Sequence, residues 1–140
     1  MKKYIIDTNA LISFVTDRNP EQQAIVAPFF AAASRRECLL ICHQSVVTEF
    51  VFVMDKLYKI PKDTINSKLC DIFALTGVEL HYHTDFKVLL SFWPTTIADF
   101  GDAVIAATAL EIEGAVVLTF DGKFKTSLKQ AGLPCLPERA

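Results

Sequence analysis

The stretch Tyr4-Ile5-Ile6-Asp7-Thr8-Asn9-Ala10-Leu11 decides how this chain is read. Tyr4 to Ile6 has the length and apolar character of a short buried strand, while Leu11, Ile12, Phe14 and Val15 recur with helical spacing from Thr8 to Thr16. Asp7 therefore falls at the carboxyl end of a strand, the edge at which open α/β sheets bind their ligands. A carboxylate there, with Thr8 and Asn9 beside it, is placed to hold a metal ion. The same three residue types also cap helices. Taken alone the stretch favours a cap, and a chemical role depends on whether other acids reach the same edge.

Outward from this stretch the chain alternates helix and strand. Pro20 and Glu21 open a helix that runs to Ser34, with Pro28 expected to bend it. After the polar turn Arg35-Arg36-Glu37, Cys38 to Cys42 is an apolar run of strand length. Ser45, as N-cap, starts a helix to Lys59 that Pro61 stops, and Pro61-Lys62-Asp63 opens the next one, to about Leu75, closed by Gly77. Val78 to Tyr82 alternates like a half-exposed edge strand. Thr84 to Phe92 is a short helix ended before Pro94, and Asp99-Phe100-Gly101-Asp102 leads into the small-residue helix Ala103 to Leu110, closed by Gly114. Ala115 to Phe120 is the clearest buried strand, followed by Asp121, a helix from Gly122 to Ala131, and a last strand from Leu133 to Leu136. This alternation predicts an α/β fold with a mostly parallel sheet covered on both faces and joined by right-handed crossovers.

At 140 residues, 51% hydrophobic and 21% charged, the sequence describes one globular domain spanning 1–140, with no internal repeat, linker or low-complexity segment. No apolar run reaches the ~18 residues of a membrane span. Lys2 and Lys3 are followed too soon by Asp7 for a signal peptide, so the expected location is cytoplasmic. Cys38, Cys42, Cys70 and Cys135 have no metal-finger spacing and are expected to be buried free thiols, as suits a reducing compartment. His81 and His83 would share a strand face, but with no acid or Cys beside them they are read as a surface pair. A net charge of -2 argues against indiscriminate nucleic-acid binding, though it leaves room for a basic rim around an acidic site.

In a parallel sheet Asp7 and Asp121 leave strand ends at one edge, and Glu49 and Asp102, early in their helices, can face it. Glu49 has no basic residue three or four positions away. Carboxylates this close repel by roughly 4 kcal/mol at ~4 Å and an effective dielectric of ~20, so some must take up protons unless a cation is present. Oxygen ligands favour Mg²⁺ or Mn²⁺ over Zn²⁺. One such ion could activate a water and a second stabilise the leaving oxygen of a phosphodiester. Each acid also has a plainer reading: Asp102 as a charge suited to a helix dipole, Asp121-Gly122 as a turn, Asp99 as a helix cap in preference to a ligand. Thr119 stands either to hydrogen-bond a metal-bound water or simply to sit in the sheet.

Together Ile5-Ile6-Asp7-Thr8-Asn9-Ala10-Leu11, the isolated Glu49, Asp99 to Ala107 and Leu118-Thr119-Phe120-Asp121-Gly122-Lys123-Phe124 resemble the four motifs of PIN domains, especially VapC-type toxins. The resemblance covers nearly the whole chain in order and spacing, the Glu49 match being the least specific. It implies a three-layer α/β/α sandwich of about five strands and a Mg²⁺- or Mn²⁺-dependent ribonuclease, usually dimeric and inhibited by an antitoxin. Asp7, Glu49, Asp102 and Asp121 would be its acidic quartet, assisted by Thr8 or Thr119. Lys123 and Lys125 are candidates to touch substrate phosphates, and Arg18, Arg35 and Arg36 to extend a basic rim, against a plain role as solvated surface charge.

Two other functions compete. A PIN-like domain could hold RNA or a protein without turnover, although a pure binder has no need of four gathered acids. A phosphatase of the haloacid dehalogenase type also starts with Asp after a strand, but that chemistry wants a second Asp two positions on, where this chain has Asn9.

Overall fold

The computed structural model describes residues 1–138. Five strands, β1 (Lys2–Ile6), β2 (Cys38–His43), β3 (Val78–His81), β4 (Ala115–Leu118) and β5 (Cys135–Leu136), form one sheet in the order β3-β2-β1-β4-β5. Every neighbouring pair is parallel. Parallel neighbours need long crossovers, and these are the helices α1 (Thr8–Val15), α2 (Pro20–Ser34), α3 (Gln44–Phe52), α4 (Lys62–Phe73), α5 (Phe86–Phe92), α6 (Phe100–Glu111) and α7 (Gly122–Gln130). With right-handed crossovers, the runs to β2 and β3 cover one face and the runs to β4 and β5 cover the other. The result is the expected three-layer α/β sandwich, with the sheet parallel throughout.

The central strand is β1, and its Ile5 and Ile6 are buried with Val117 and Leu118 of β4. Being covered on both faces, these strands lack alternation and read as continuous apolar runs. The chain leaves β1 toward β2 on one side and returns from β3 to β4 on the other, so the strand order reverses between β1 and β4. A crevice opens outside the carboxyl ends of two strands at such a point. Ile6 pairs with Leu118 in register, and the Asp7 N–H adds one more rung by donating to Leu118 O at 2.9 Å. Asp7 is thereby fixed beside the exit of β4.

Local departures from the sequence expectations have identifiable causes. The helix expected from Ser45 to Lys59 begins at Gln44 and widens into a π-helical turn at Val53–Leu57. Ser45 is not its cap: the buried His43 is, its Nδ1 accepting from the Ser45 N–H at 3.0 Å. Its Nε2 reaches Thr84 Oγ1 at 2.8 Å, tying the start of α3 to the loop after β3. Alpha-helix α2 runs through Pro28 to Ser34. Gly77 does more than close α4, because a Cβ there would come within 2.5 Å of Ala33 O and 2.6 Å of Cys38 O. His83 lies beyond β3, exposed and 3.3 Å from Glu111, so it does not share a strand face with His81. The cysteines are all free, but only Cys38 and Cys42 are buried; Cys70, on the outer side of α4, is exposed. Among the described residues no helix is long and apolar enough to cross a membrane.

Candidate functional site

Asp7, Thr8, Asn9, Ile12, Glu49, Asp99, Asp102 and Asp121 line one cleft of about 190 Å³ at the β1–β4 switch point. Asp7, Glu49, Asp102 and Asp121 arrive from four separate segments. Asp7 follows β1 and caps α1, its Oδ1 accepting from the Thr8 N–H at 2.8 Å. Asp121 follows β4 and caps α7, accepting from the Lys123 and Phe124 N–H groups at 3.0 and 3.2 Å. Asp99 caps α6 by accepting from the Asp102 N–H at 2.9 Å. That bond places Asp102 in the first turn, facing the cleft. Glu49, in the middle of α3, accepts from Thr8 Oγ1 at 3.0 Å through Oε2. Gly101 keeps the space between α3 and α6 open: a Cβ there would lie 3.2 Å from Asp99 Oδ1 and 3.9 Å from Glu49 Oε2.

For Asp7, Asp99 and Asp121 a cap and a place in the cleft are therefore compatible. A helix N-terminus at the carboxyl edge of the sheet needs an acceptor, and an Asp that supplies one is held at that edge.

A hydrogen-bond network joins the exits of β1 and β4. Asp7 Oδ2 accepts from Thr119 Oγ1 at 2.6 Å and from Asn9 Nδ2 at 3.0 Å. Asn9 Nδ2 also donates to Thr119 Oγ1 at 3.1 Å, and Asn9 Oδ1 accepts from the Phe120 N–H at 2.8 Å. Thr119, fully buried, accepts in addition from the Asp121 N–H at 3.1 Å.

The electrostatics are those of uncompensated acid. Burial pushes the Asp7 carboxyl up to about 6, against hydrogen bonds from Thr119 and Thr8 that pull it down, with Glu49 and Asp121 adding like charge. Asp102 is pushed up to about 8, first by burial and then by the charges on Asp7, Asp99, Asp121 and Glu49. Among the described residues the ion pairs join Arg35 to Glu37, Asp55 to Lys56 and Lys62, and His83 to Glu111, and none involves the four cleft acids.

This donor set fits a hard divalent cation. Mg²⁺ is held by one or two carboxylates and keeps several waters, and does not need an all-protein cage. None is built here: among the described residues no three His, Cys, Asp or Glu side chains converge as a ready-made metal cluster. The residues that could supply oxygens are Asp7, Glu49, Asp102 and Asp121. Asp99 is committed through Oδ1 to its cap.

The candidate basic residues divide. Lys123 lines a second cleft of about 240 Å³ with Ile97, Ala98, Phe124 and Ser127, which shares Asp99, Asp102 and Asp121 with the first. Lys125 is instead 5% exposed, with its Nζ lacking a hydrogen-bond partner among the described residues, and it lines neither cleft. It stands one residue past Phe124 on α7, on the side buried with Phe124 and Leu128. Arg18 stacks over the Tyr58 ring at 3.6 Å, and Arg35 pairs with Glu37 at 2.7 Å. Arg35 and Arg36 precede β2 and so occupy the sheet edge opposite the cleft.

Sequence reasoning set Asn9 beside Asp7 or at a helix start without its bonds to positions 119 and 120, and passed over His43, the cap of α3. An amide two residues after a strand-end Asp is a usable signal for the first. Its partners at 119 and 120 are brought to it only by the pairing of β1 with β4.

An acidic cleft at the switch point of this parallel sheet defines a class of α/β domain, and the sequence places the chain within it. The PIN domain family model matches residues 4–126, and the chain belongs to that family. Among solved structures it is similar to PAE2754 from Pyrobaculum aerophilum, with a TM-score of 0.64 and 14% identity over 90% of this chain and 84% of that one. It is similar also to VapBC2 from Rickettsia felis, solved bound to a DNA fragment from their promoter, with a TM-score of 0.63 and 17% identity over 96% of this chain and 97% of that one. A third likeness is to the PIN domain endonuclease Utp24, with a TM-score of 0.57 and 18% identity over 96% and 83% of the two chains. At these identities the likeness is one of fold. No curated protein sequence matches the chain significantly.

Proposed function

We propose that the protein is a Mg²⁺- or Mn²⁺-dependent endoribonuclease that hydrolyses RNA phosphodiester bonds. One observation carries the proposal: four acids from distant segments line a single cleft and, among the described residues, no cationic side chain pairs with them. Membership of the PIN family supports a hydrolytic nuclease. Asp7, Glu49, Asp102 and Asp121 would hold the cation. When bound, such an ion lowers the pKa of a coordinated water and offsets charge on the phosphate. The chain's own part is positional. Asp7 is pinned by three hydrogen bonds, Glu49 is oriented by Thr8, and Lys123, which lines the adjoining cleft, would meet a phosphate of the bound strand.

The test is cleavage of RNA with Mg²⁺ or Mn²⁺, set against EDTA and Asp7→Asn. Cleavage that survives both sinks the mechanism.

We further take the protein to be the toxin of a toxin–antitoxin pair, a cytoplasmic homodimer held inactive by a small antitoxin. The motif resemblance to VapC-type toxins and the fold likeness to VapBC2 support this. Growth arrest on expression, relieved by the product of a neighbouring small reading frame, is the expected result; unimpaired growth of cells making active enzyme counts against it.

A second reading is a PIN-like module that binds RNA or a protein without turnover. It is favoured by the lack, among the described residues, of three acids converging on one point. Titration with Mn²⁺ decides between the two, because no affinity at millimolar concentration would favour the binder.

A further inference from the structure

We propose that Asn9 is a positioning residue for the cation site: its side-chain amide sets which oxygen of Asp7 faces the ion and locks Asp7 to the segment carrying Asp121. This rests on the metal-dependent reading above. It follows from counting donors and acceptors. A carboxylate offers about four acceptor positions on two oxygens. On Asp7, Oδ2 takes the Thr119 hydroxyl at 2.6 Å and the Asn9 amide at 3.0 Å, which fills it. Among the described residues Oδ1 takes only the Thr8 N–H, at 2.8 Å, and keeps an acceptor position for a cation.

The orientation of the Asn9 amide is not open to exchange. Phe120 N–H can only donate, and it reaches Asn9 Oδ1 at 2.8 Å. The opposite end must therefore be the NH₂ group, which donates toward the adjacent Asp7 Oδ2 and Thr119 Oγ1. Thr119 Oγ1 in turn accepts from Asn9 and from the Asp121 N–H at 3.1 Å, so its single proton goes to Asp7. Asn9 thus contacts a bond partner at every step between the two acids. A helix-starting Asn would bond the backbone of its own helix, but the side-chain bonds of Asn9 run to Asp7, Thr119 and Phe120.

Groups that orient a metal ligand from behind typically change metal affinity or activity ~10- to 100-fold when removed. Asn9→Ala should therefore weaken Mn²⁺ binding, measured by calorimetry on the folded protein, by roughly 10- to 100-fold. The kcat for RNA cleavage should fall while KM for RNA stays within about twofold, since the bonds of the Asn9 amide all go to protein groups. A merely structural Asn9 would lower thermal stability and leave the Mn²⁺ affinity of the folded protein unchanged, and that result overturns the proposal. A wild-type protein that binds no Mn²⁺ would defeat the metal reading itself and take this inference with it. If Asn9→Ala does not fold, ¹⁵N-labelled wild-type protein gives the answer: the Asn9 side-chain NH₂ resonances should shift on saturation with Mg²⁺. Resonances that stay in place while the protein binds Mg²⁺ overturn the role.

Discussion

Replacing Asp102 by Asn should stabilise the metal-free protein at alkaline pH and abolish its proposed activity. The main-chain N–H of Asp102 bonds Asp99, but its carboxylate accepts no hydrogen bond among the described residues, so the amide disrupts nothing. What the substitution removes is a charge that burial and the neighbouring acids oppose, pushing the carboxyl up to about 8 from 3.8. Between those values the folded protein holds a proton that the unfolded chain has released, so metal-free stability falls as pH rises from about 4 to about 8. Below that window both states are protonated and the group contributes nothing. Converted whole, at ~1.4 kcal/mol per tenfold change, the displacement is worth roughly 6 kcal/mol. The side chain is partly open to water, and screening reduces this to about 2 kcal/mol, or roughly 6 °C in Tm for a chain of this size. The assay is denaturant unfolding of wild-type and Asp102→Asn protein in EDTA at pH 4.5, 7.0 and 8.5. The gap should be smallest at pH 4.5, just above the unfolded value of 3.8, and full at pH 8.5. Millimolar Mn²⁺ should then raise the wild-type midpoint and leave that of the variant in place. A variant no more stable at pH 8.5, or equally more stable at all three, refutes the electrostatic account.

Thr119→Val keeps the branched shape in the sheet but removes the 2.6 Å bond to Asp7; Mn²⁺ affinity by calorimetry should drop ~10-fold or more. Gly77→Ala forces a Cβ against the Ala33 and Cys38 carbonyls, and chemical denaturation should record a loss of about 1–3 kcal/mol, as for overpacked interiors. Lys123→Ala should raise KM for RNA several-fold and flatten its salt dependence. Lys125→Met should leave cleavage unchanged and raise stability by about 1 kcal/mol, because it takes away a buried ammonium that has no partner among the described residues; weaker cleavage by the folded Lys125→Met protein would restore that lysine to the substrate path.

The element pattern was legible because each segment is locally consistent. The apolar run at Ala115 to Leu118, the helical spacing after Thr8 and the closing Gly114 need no distant partner to be read. Asp99 was likewise readable as a cap, since its partner is only three residues away. Segments that fail locally are those decided by neighbours in space. Position 45 is a Ser, a good cap by type, yet His43 caps α3 because its ring is buried between α3 and the loop after β3. Lys125 has the composition of a surface residue, yet helical phase turns it under α7 beside Phe124 and Leu128.

By itself the sequence determined an α/β chain with acids placed after strands and in first turns, since strand length, helical period and capping chemistry act within a few residues. The resemblance of its motifs carried the expectation further, to a three-layer fold and an acidic quartet. Tertiary structure alone decided that β1 and β4 lie side by side. That adjacency brings Asp7 and Asp121 to one crevice and lets Asn9, Thr119 and Phe120 close their network across 110 residues. It also raises the carboxyl groups of Asp7 and Asp102, since burial and mutual repulsion exist only once distant acids share a cleft.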